Sequence, residues 1–557
     1  MKRIFILYSL LVICTFTLFA QPFNVKKASK AVFTLKTFKA DGTLIGSSNG
    51  FFVGEEGVAM SNFTPFRGAD RAVVIDAQGK EWPVESILGA NSTYDVAKFR
   101  VDVKKPQGLT IATGTQQVGS MVWLLPYREI KNVPQGTVRR VERFLGNNDY
   151  YTLALQMPEM MVSCPLLTTN GEVIGLMQPP VSAADTLNYA VSAAFADSLH
   201  ITGLSINDRA LRSTNIKKAL PTQLDQALLT LYVASSSLDS LSYATLVDDF
   251  ITQFPASPDG YSYRAQLEVG ANDFSGAQQD MEKAISVAEK KDEAHYNYAR
   301  LIYQKELFKS DKTYEPWSLD KALDETRKAH ELNPQPIYRH HEAQVLFSQK
   351  KFEEAFTIYQ ELMNSTLRSA DIFFEASRCK EQLRDTMAQL ALLDSTVNQF
   401  SRPLLQEAAP YLLARAQARL NAGKYRDAVN DLNDYEPLMR SRLSANFYYI
   451  RFQAEVGGRL FQQALNDIQR AIELLPQYDL YYAEKASLEV RVGLYDDAMA
   501  TARQCIEIAP DHSDGYLFLG LAQCLKGQKA EGTKNLQKAK ELGDQQADEL
   551  ISRYAAE

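Results

Sequence analysis

The 557-residue chain has six histidines, His200, His295, His330, His340, His341 and His512, and none before residue 200. The N-terminal third therefore offers no imidazole to a serine or cysteine nucleophile, which needs a base to take its proton. Cysteine is scarce too: Cys14, Cys164, Cys379, Cys505 and Cys524 are scattered, with no C-x-x-C and no metal-ligand spacing. That excludes a zinc site or a redox motif of recognised type. The last three fall on expected helices and read as core thiols. No Walker loop and no dinucleotide glycine pattern occurs, so no cofactor is expected. Charge is nearly balanced, 60 Lys and Arg against 67 Asp and Glu, which argues against a nucleic-acid partner.

Long apolar runs are also missing, apart from Ile4–Phe19. Lys2-Arg3 precede this run and Ala20-Gln21 follow it, the pattern of a signal peptide cut after Ala20. Its length is short for a membrane span. Leu11-Val12-Ile13-Cys14 lacks the small residues that precede a lipoprotein cysteine. The expectation is an exported chain, periplasmic or secreted, with no transmembrane segment after cleavage. Loss of Lys2 and Arg3 takes the formal charge from -7 to -9.

What remains has two different periods. Ala31–Phe38 and Arg71–Asp76 alternate apolar and polar residues with period two, and Asp41-Gly42, Gln78-Gly79 and Asn170-Gly171 mark hairpins. This predicts a β domain over 21–204. A polar stretch, 205–222, reads as a linker with few contacts. From 223 to 557 the period is helical. Ala464, Ala498 and Gly532 are 34 residues apart; so are Phe452, Ala486 and Gly520, and Pro476 and Pro510. Such small residues let two antiparallel helices approach, and a late proline ends the second.

Several segments of the β domain resemble the HtrA-type (DegP-like) serine proteases, a branch of the trypsin fold. Ser48-Asn-Gly-Phe-Phe-Val53 is similar to the family's G-S-G-F-I-I strand, and Gly57-Val-Ala-Met-Ser-Asn-Phe-Thr64 to its G-Y-I-L-T-N-x-H. Thr93-Tyr-Asp-Val-Ala-Lys98 resembles T-D-L-A-L, and Met160-Met-Val-Ser-Cys-Pro-Leu166 resembles G-N-S-G-G-P-L. The resemblance implies a two-barrel fold. It puts Thr64 at the general-base position, Asp95 at the triad aspartate and Val162 at the nucleophile. A valine has no group that can attack a carbonyl. One alternative is that Ser163 or Cys164 is a displaced nucleophile paired with a lysine such as Lys36; the other is that Cys164 is a small buried hydrophobe and Asp95 a structural acceptor. With its glycines replaced, the loop at 160–164 is expected to lose its usual conformation.

The helical half resembles the tetratricopeptide repeat (TPR), in eight units plus a degenerate one over Leu224–Pro255. A single helix pair cannot bury its apolar face, whereas stacked pairs share a core. Most repeated Ala, Leu and Tyr positions are therefore core. The concave face would carry binding, with candidate groove residues His340, Gln344, Phe347, Leu413, Gln417, Tyr449 and Gln453. They do not form the Lys/Asn clamp of carboxylate-binding TPR domains. The resulting expectation is a multidomain β plus α chain: a catalytically degenerate trypsin-like domain followed by a TPR solenoid. It would act as an exported scaffold that binds proteins or peptides through the groove. The rival readings are a peptidase with unconventional residues and a periplasmic holdase.

Overall fold

The computed structural model describes residues 23–127, 132–143, 148–158, 160–180 and 187–555. The expected signal peptide lies outside the described residues. By its contacts the chain divides into two compact units, Met1–Val287 and Ala288–Glu557.

The first unit contains two closed antiparallel barrels. One is built from β1 (Val32–Phe38), β2 (Leu44–Val53), β3 (Val58–Ser61), β4 (Arg71–Ile75), β5 (Glu81–Asn91) and β6 (Val96–Val101), ordered β1-β2-β3-β6-β5-β4. The other comprises β7 (Met121–Leu124), β8 (Gln135–Arg143), β9 (Asp149–Ala154), β10 (Pro165–Leu167), β11 (Val173–Met177) and β12 (Asn188–Ser192), in the same order, with β7 in the place of β1. The three expected hairpin glycines hold. Gly42, Gly79 and Gly171 have φ of +87°, +83° and +84°, a region that costs other residues strain. Asp76 fixes the β4–β5 turn by accepting the N–H groups of Gln78 and Lys80 and the Trp82 indole N–H.

Period-two alternation sorts each strand between two cores. Phe33, Leu35, Phe52, Phe66 and Phe99 fill the first barrel, with Phe33 and Phe52 edge to face at 4.9 Å. Val32, Phe51, Met60 and Val96 face the other way and join the core of the second barrel. The seam between the barrels is thus a continuous apolar layer, and its rim carries the candidate catalytic positions.

The stretch 205–222 is not a free tether. Ile216, Ala210 and Leu211 are buried in the first barrel's core cluster. The Ile87 and Ala219 amides donate to the Lys217 and Ile87 carbonyls, the Gly68 amide to the Ser213 carbonyl and the Asn215 amide to the Ala69 carbonyl. Its polarity had suggested few contacts. Its alternate apolar residues in fact extend the sheet edge at Ile87, where Lys218 makes a parallel bridge.

Helices follow from Leu224. A first pair, Leu224–Ala234 and Ser240–Gln253, occupies the place of the degenerate unit. Eight further pairs run from Pro258–Ala271 with Phe274–Val287 to Ser513–Leu525 with Lys529–Glu541. The small residues of the 34-residue register stand where the paired helices touch. A Cβ on Gly532 would lie 2.4 Å from Cys524 Sγ, and one on Gly520 would lie 2.7 Å from the Gly532 carbonyl oxygen. Pro476 and Pro510 follow helices that end at Leu474 and Ile508. No helix among the described residues is long and apolar enough to cross a membrane.

Candidate functional site

Thr64 opens a short turn after β3, Asp95 sits on the β5–β6 turn and Val162 on the turn before β10. The fold brings the first two together. Asp95 Oδ1 accepts the Thr64 amide at 2.6 Å and the Thr64 hydroxyl at 2.8 Å. Its other oxygen accepts Asn62 Nδ2 at 3.3 Å. Asp95 is thereby a structural acceptor that pins the turn carrying Thr64. It holds left-handed backbone, φ +52°, to do so.

Asn62 carries the connection onward. Its Oδ1 accepts the Ser163 hydroxyl at 2.9 Å, and its amide N–H donates to Ser163 Oγ at 3.1 Å. The result is a hydrogen-bonded chain from Asp95 through Asn62 to Ser163, with a side-chain amide where a protease needs an imidazole. An amide oxygen is too weak a base to take a hydroxyl proton at neutral pH. Ser163 is also fully buried. Neither feature suits a nucleophile. Cys164 is fully buried as well, and burial pushes its thiol up to about 12, away from thiolate chemistry. Lys36, the base considered for either residue, lies in β1 opposite Ser47 and Val73.

Val162 is half-buried and presents only its backbone to this network. Asn49 Nδ2 donates to the Val162 carbonyl at 3.0 Å and to the Met160 carbonyl at 2.7 Å. The loop does not simply lose the shape that glycines would support. Met160 and Ser163 keep left-handed backbone, with φ of +66° and +62°. Each costs roughly 1–2 kcal/mol for a residue with a Cβ, and the Asn49 and Asn62 bonds hold them there. Met160 is 88% exposed beside this locked turn. Asn49 and Asn62 were missed from the sequence, where nothing in spacing or composition separates them from any turn asparagine.

The groove candidates fall into two kinds. His340 Nε2 bonds Glu375, and Gln344 Nε2 donates to the same carboxylate at 3.1 Å, so these three couple the first helices of adjacent pairs. Tyr449 does likewise, its hydroxyl donating to Glu484 at 3.1 Å and its ring 5.2 Å from Tyr481. Phe347 stands edge-on to Phe352 at 5.2 Å, with the Arg378 guanidinium 5.3 Å from its ring centre. Leu413 packs on a core cluster. Gln417 and Gln453 are exposed.

A repeated charged position also escaped the sequence reading. Arg264, Arg415 and Arg451, on first helices, clasp Asp280, Asp431 and Asp467 sixteen residues later on the second helices. The closest contacts in the three pairs are 2.6, 2.6 and 2.5 Å. In the last pair the register position of Arg451 is Leu519, and Asn535, in the place of Asp467, donates to Gln523, in the place of Glu455, at 2.7 Å. The spacing was a legible signal, hidden by reading only the apolar register.

Residues 48–176 match the family model of the trypsin-like peptidase domain. The N-terminal region is a trypsin-fold domain. A protein of Halomonas elongata, named a probable DegP-like periplasmic serine endoprotease, is 30% identical over 135 residues, covering 23% of this chain and 28% of that protein. The small glutamine-rich tetratricopeptide repeat-containing protein 2 of Saccharomyces cerevisiae is 26% identical over 133 residues, 24% of this chain and 38% of that protein. The matched region thus spans less than two-fifths of either relative. A crystal structure of the Rv3671c protease from M. tuberculosis aligns at 17% identity and a TM-score of 0.28, over 31% of this chain and 82% of that one. The helices beyond the barrels form a TPR-like array.

Proposed function

We propose that this chain is an exported, catalytically inactive scaffold, in which a trypsin-fold domain lends shape rather than chemistry and the TPR-like array holds partner proteins. The observation that carries the reading is the Asp95–Asn62–Ser163 chain of hydrogen bonds. It spends the acidic residue and the buried hydroxyl on architecture, and it puts an amide where a general base would have to be. Val162 supplies no nucleophile in their place. The TPR-containing relatives support protein binding as the array's role. Its groove would be lined by His340, Gln344, Phe347, Leu413, Gln417, Tyr449 and Gln453. The test is direct. The purified chain should leave casein intact and take up no fluorophosphonate label, while immobilised chain retains a defined set of proteins from a periplasmic extract. Labelling that Ser163→Ala abolishes would overturn the inactive reading. Retention that is undiminished when the array is deleted would overturn the groove.

A further inference from the structure

The first unit contains a cavity of about 520 Å³ on the outer face of the first barrel, on the side of β6 that also carries the seam residue Val96. Its floor is β6, where Lys98 and Arg100 are two residues apart and so project from the same side of the strand. One wall is the strap from Leu199 to Thr202, which contributes His200. The other is the segment leading into the helix Leu224–Ala234, which contributes Gln223 and Gln226. That helix has no side-chain cap at Gln223, and Asp225 is the acid in its first turn.

The walls are fixed. Gly89 lies under the strap, and a Cβ there would come 2.9 Å from Leu199 Cβ and 3.0 Å from the His200 amide nitrogen. The Gly203 amide donates to Gln226 Oε1 at 3.0 Å, tying strap to helix. Lys98 Nζ donates to the Leu199 carbonyl at 3.2 Å, tying strap to sheet.

Two cationic side chains, Lys98 and Arg100, and the His200 imidazole therefore line one preformed concavity. Among the described residues, no carboxylate makes an ion pair with Lys98, Arg100 or His200. The nearby acids are Asp197, whose field acts on Lys98, and Asp225 in the helix's first turn, which Gln226 Nε2 contacts at 3.3 Å. Burial lowers the Lys98 pKa first; the Asp197 carboxylate, next in size, opposes this, and the neighbouring Arg100 adds to the lowering. His200 donates Nδ1–H to the Ser198 carbonyl at 2.9 Å, which leaves Nε2 uncommitted. Holding like charges together in a recess is unfavourable unless a counter-charge enters. An Arg fork beside a Lys point charge suits an oxyanion.

We propose that this cavity is a binding site for a small molecule bearing a phosphate or carboxylate group, with Lys98 and Arg100 as its principal anchors. The volume is larger than a lone inorganic ion needs and lies in the range of organic-ligand pockets. Val58 and Leu88 give such a ligand an apolar surface to lie against.

The test is calorimetric titration of the full chain with pyrophosphate and, separately, with citrate, at ionic strength fixed by chloride. Saturable binding of at least one probe is expected, and Arg100→Gln or Lys98→Met should each weaken it by about tenfold or more. Pyrophosphate alone would identify a phosphate ligand and citrate alone a carboxylate. No saturable binding of either, or the same affinity in both variants, overturns the site. A measurement on the unaltered chain guards against misfolded variants. The bound probe should slow acetylation of Lys98 and leave exposed Lys39 unchanged; equal labelling of Lys98 with and without probe also overturns the proposal.

Discussion

Asn62 and Ser163, separated by 101 residues in sequence, exchange two hydrogen bonds at the rim of the inter-barrel seam. Both residues are buried, so neither partner could turn to water if the other were removed. Ser163→Ala should therefore destabilise the chain by about 1–3 kcal/mol, the cost of stranding a buried donor and acceptor. Urea denaturation of the first unit's tertiary signal measures this. Unchanged stability would mean that the pair is idle and would reopen Ser163 to another role.

The array should respond most sharply at its clasped charges. Arg451 is 9% exposed, bonds Asp467 through two nitrogens and reaches Asn433 and Glu436 through the third. Arg451→Ala leaves Asp467 buried without its cation and should cost about 3–5 kcal/mol. Thermal unfolding of the variant is the measurement. A loss below about 1 kcal/mol would show that water reaches the pair.

A pH dependence follows from the residue one turn further along. Burial first, and the Asp467 charge next, push the Glu455 carboxyl up to about 8 from 4.5. The folded chain thus keeps a proton that the unfolded chain releases. The stabilisation is complete below pH 4.5, and it is lost as pH rises towards 8. Glu268, at the matching position beside Arg264 and Asp280, is pushed up to about 7 by the same causes. Glu455→Gln mimics the protonated form permanently. It should melt higher than the parent at pH 8 and no higher at pH 4. A variant equally stable at both would mean that Glu455 ionises normally in the fold.

Element type was legible wherever the period was long and regular. The 34-residue register marks helix crossings, and the Asp-Gly and Asn-Gly turns mark hairpins, because each rests on local sterics that neighbours cannot override. The seam was legible only in part. Thr64, Asp95 and Val162 were located by resemblance, but Asn49 and Asn62, which tie this region to Val162 and Ser163, act through contacts over 100 residues long in sequence and leave no periodic trace. The stretch 205–222 misled for a related reason. Its polar side chains are exposed while its backbone completes a sheet edge, and backbone pairing is invisible to composition.

That stretch makes a prediction opposite to the one its composition suggests. Arg209, Arg212 and Lys217 are exposed and would attract trypsin. Cleavage, however, requires the backbone to leave the sheet and turn bonds at Ile87, Ala69 and Gly68. Brief native digestion should spare all three sites. Early cutting at any of them, read by mass spectrometry, would show that the segment opens on its own.

Tyr449 is the groove candidate whose role can be divided most cleanly. Its ring lies between Phe452 at 6.0 Å and Tyr481 at 5.2 Å, and its hydroxyl bonds Glu484, so it joins one helix pair to the next. Burial raises the phenol to about 12, and the Glu484 carboxylate adds to the shift, so the hydroxyl stays a donor. Tyr449→Phe should cost about 1 kcal/mol, the net worth of one hydrogen bond. Tyr449→Ala should cost about 3 kcal/mol, because the aromatic contact is lost as well. Gln417 and Gln453 are exposed, and replacing either by Ala should shift stability by less than about 0.5 kcal/mol. If the groove binds protein, those two substitutions should lower partner retention at a nearly unchanged melting temperature, since Gln417 bonds Asn421 and Gln453 bonds Tyr449, each one turn away on its own helix. Tyr449→Ala should lower both together, because loosening the junction between pairs spoils the groove's shape. Retention lost with stability intact in Tyr449→Ala would instead make Tyr449 a direct anchor. Full retention in both glutamine variants would move the binding surface off this face.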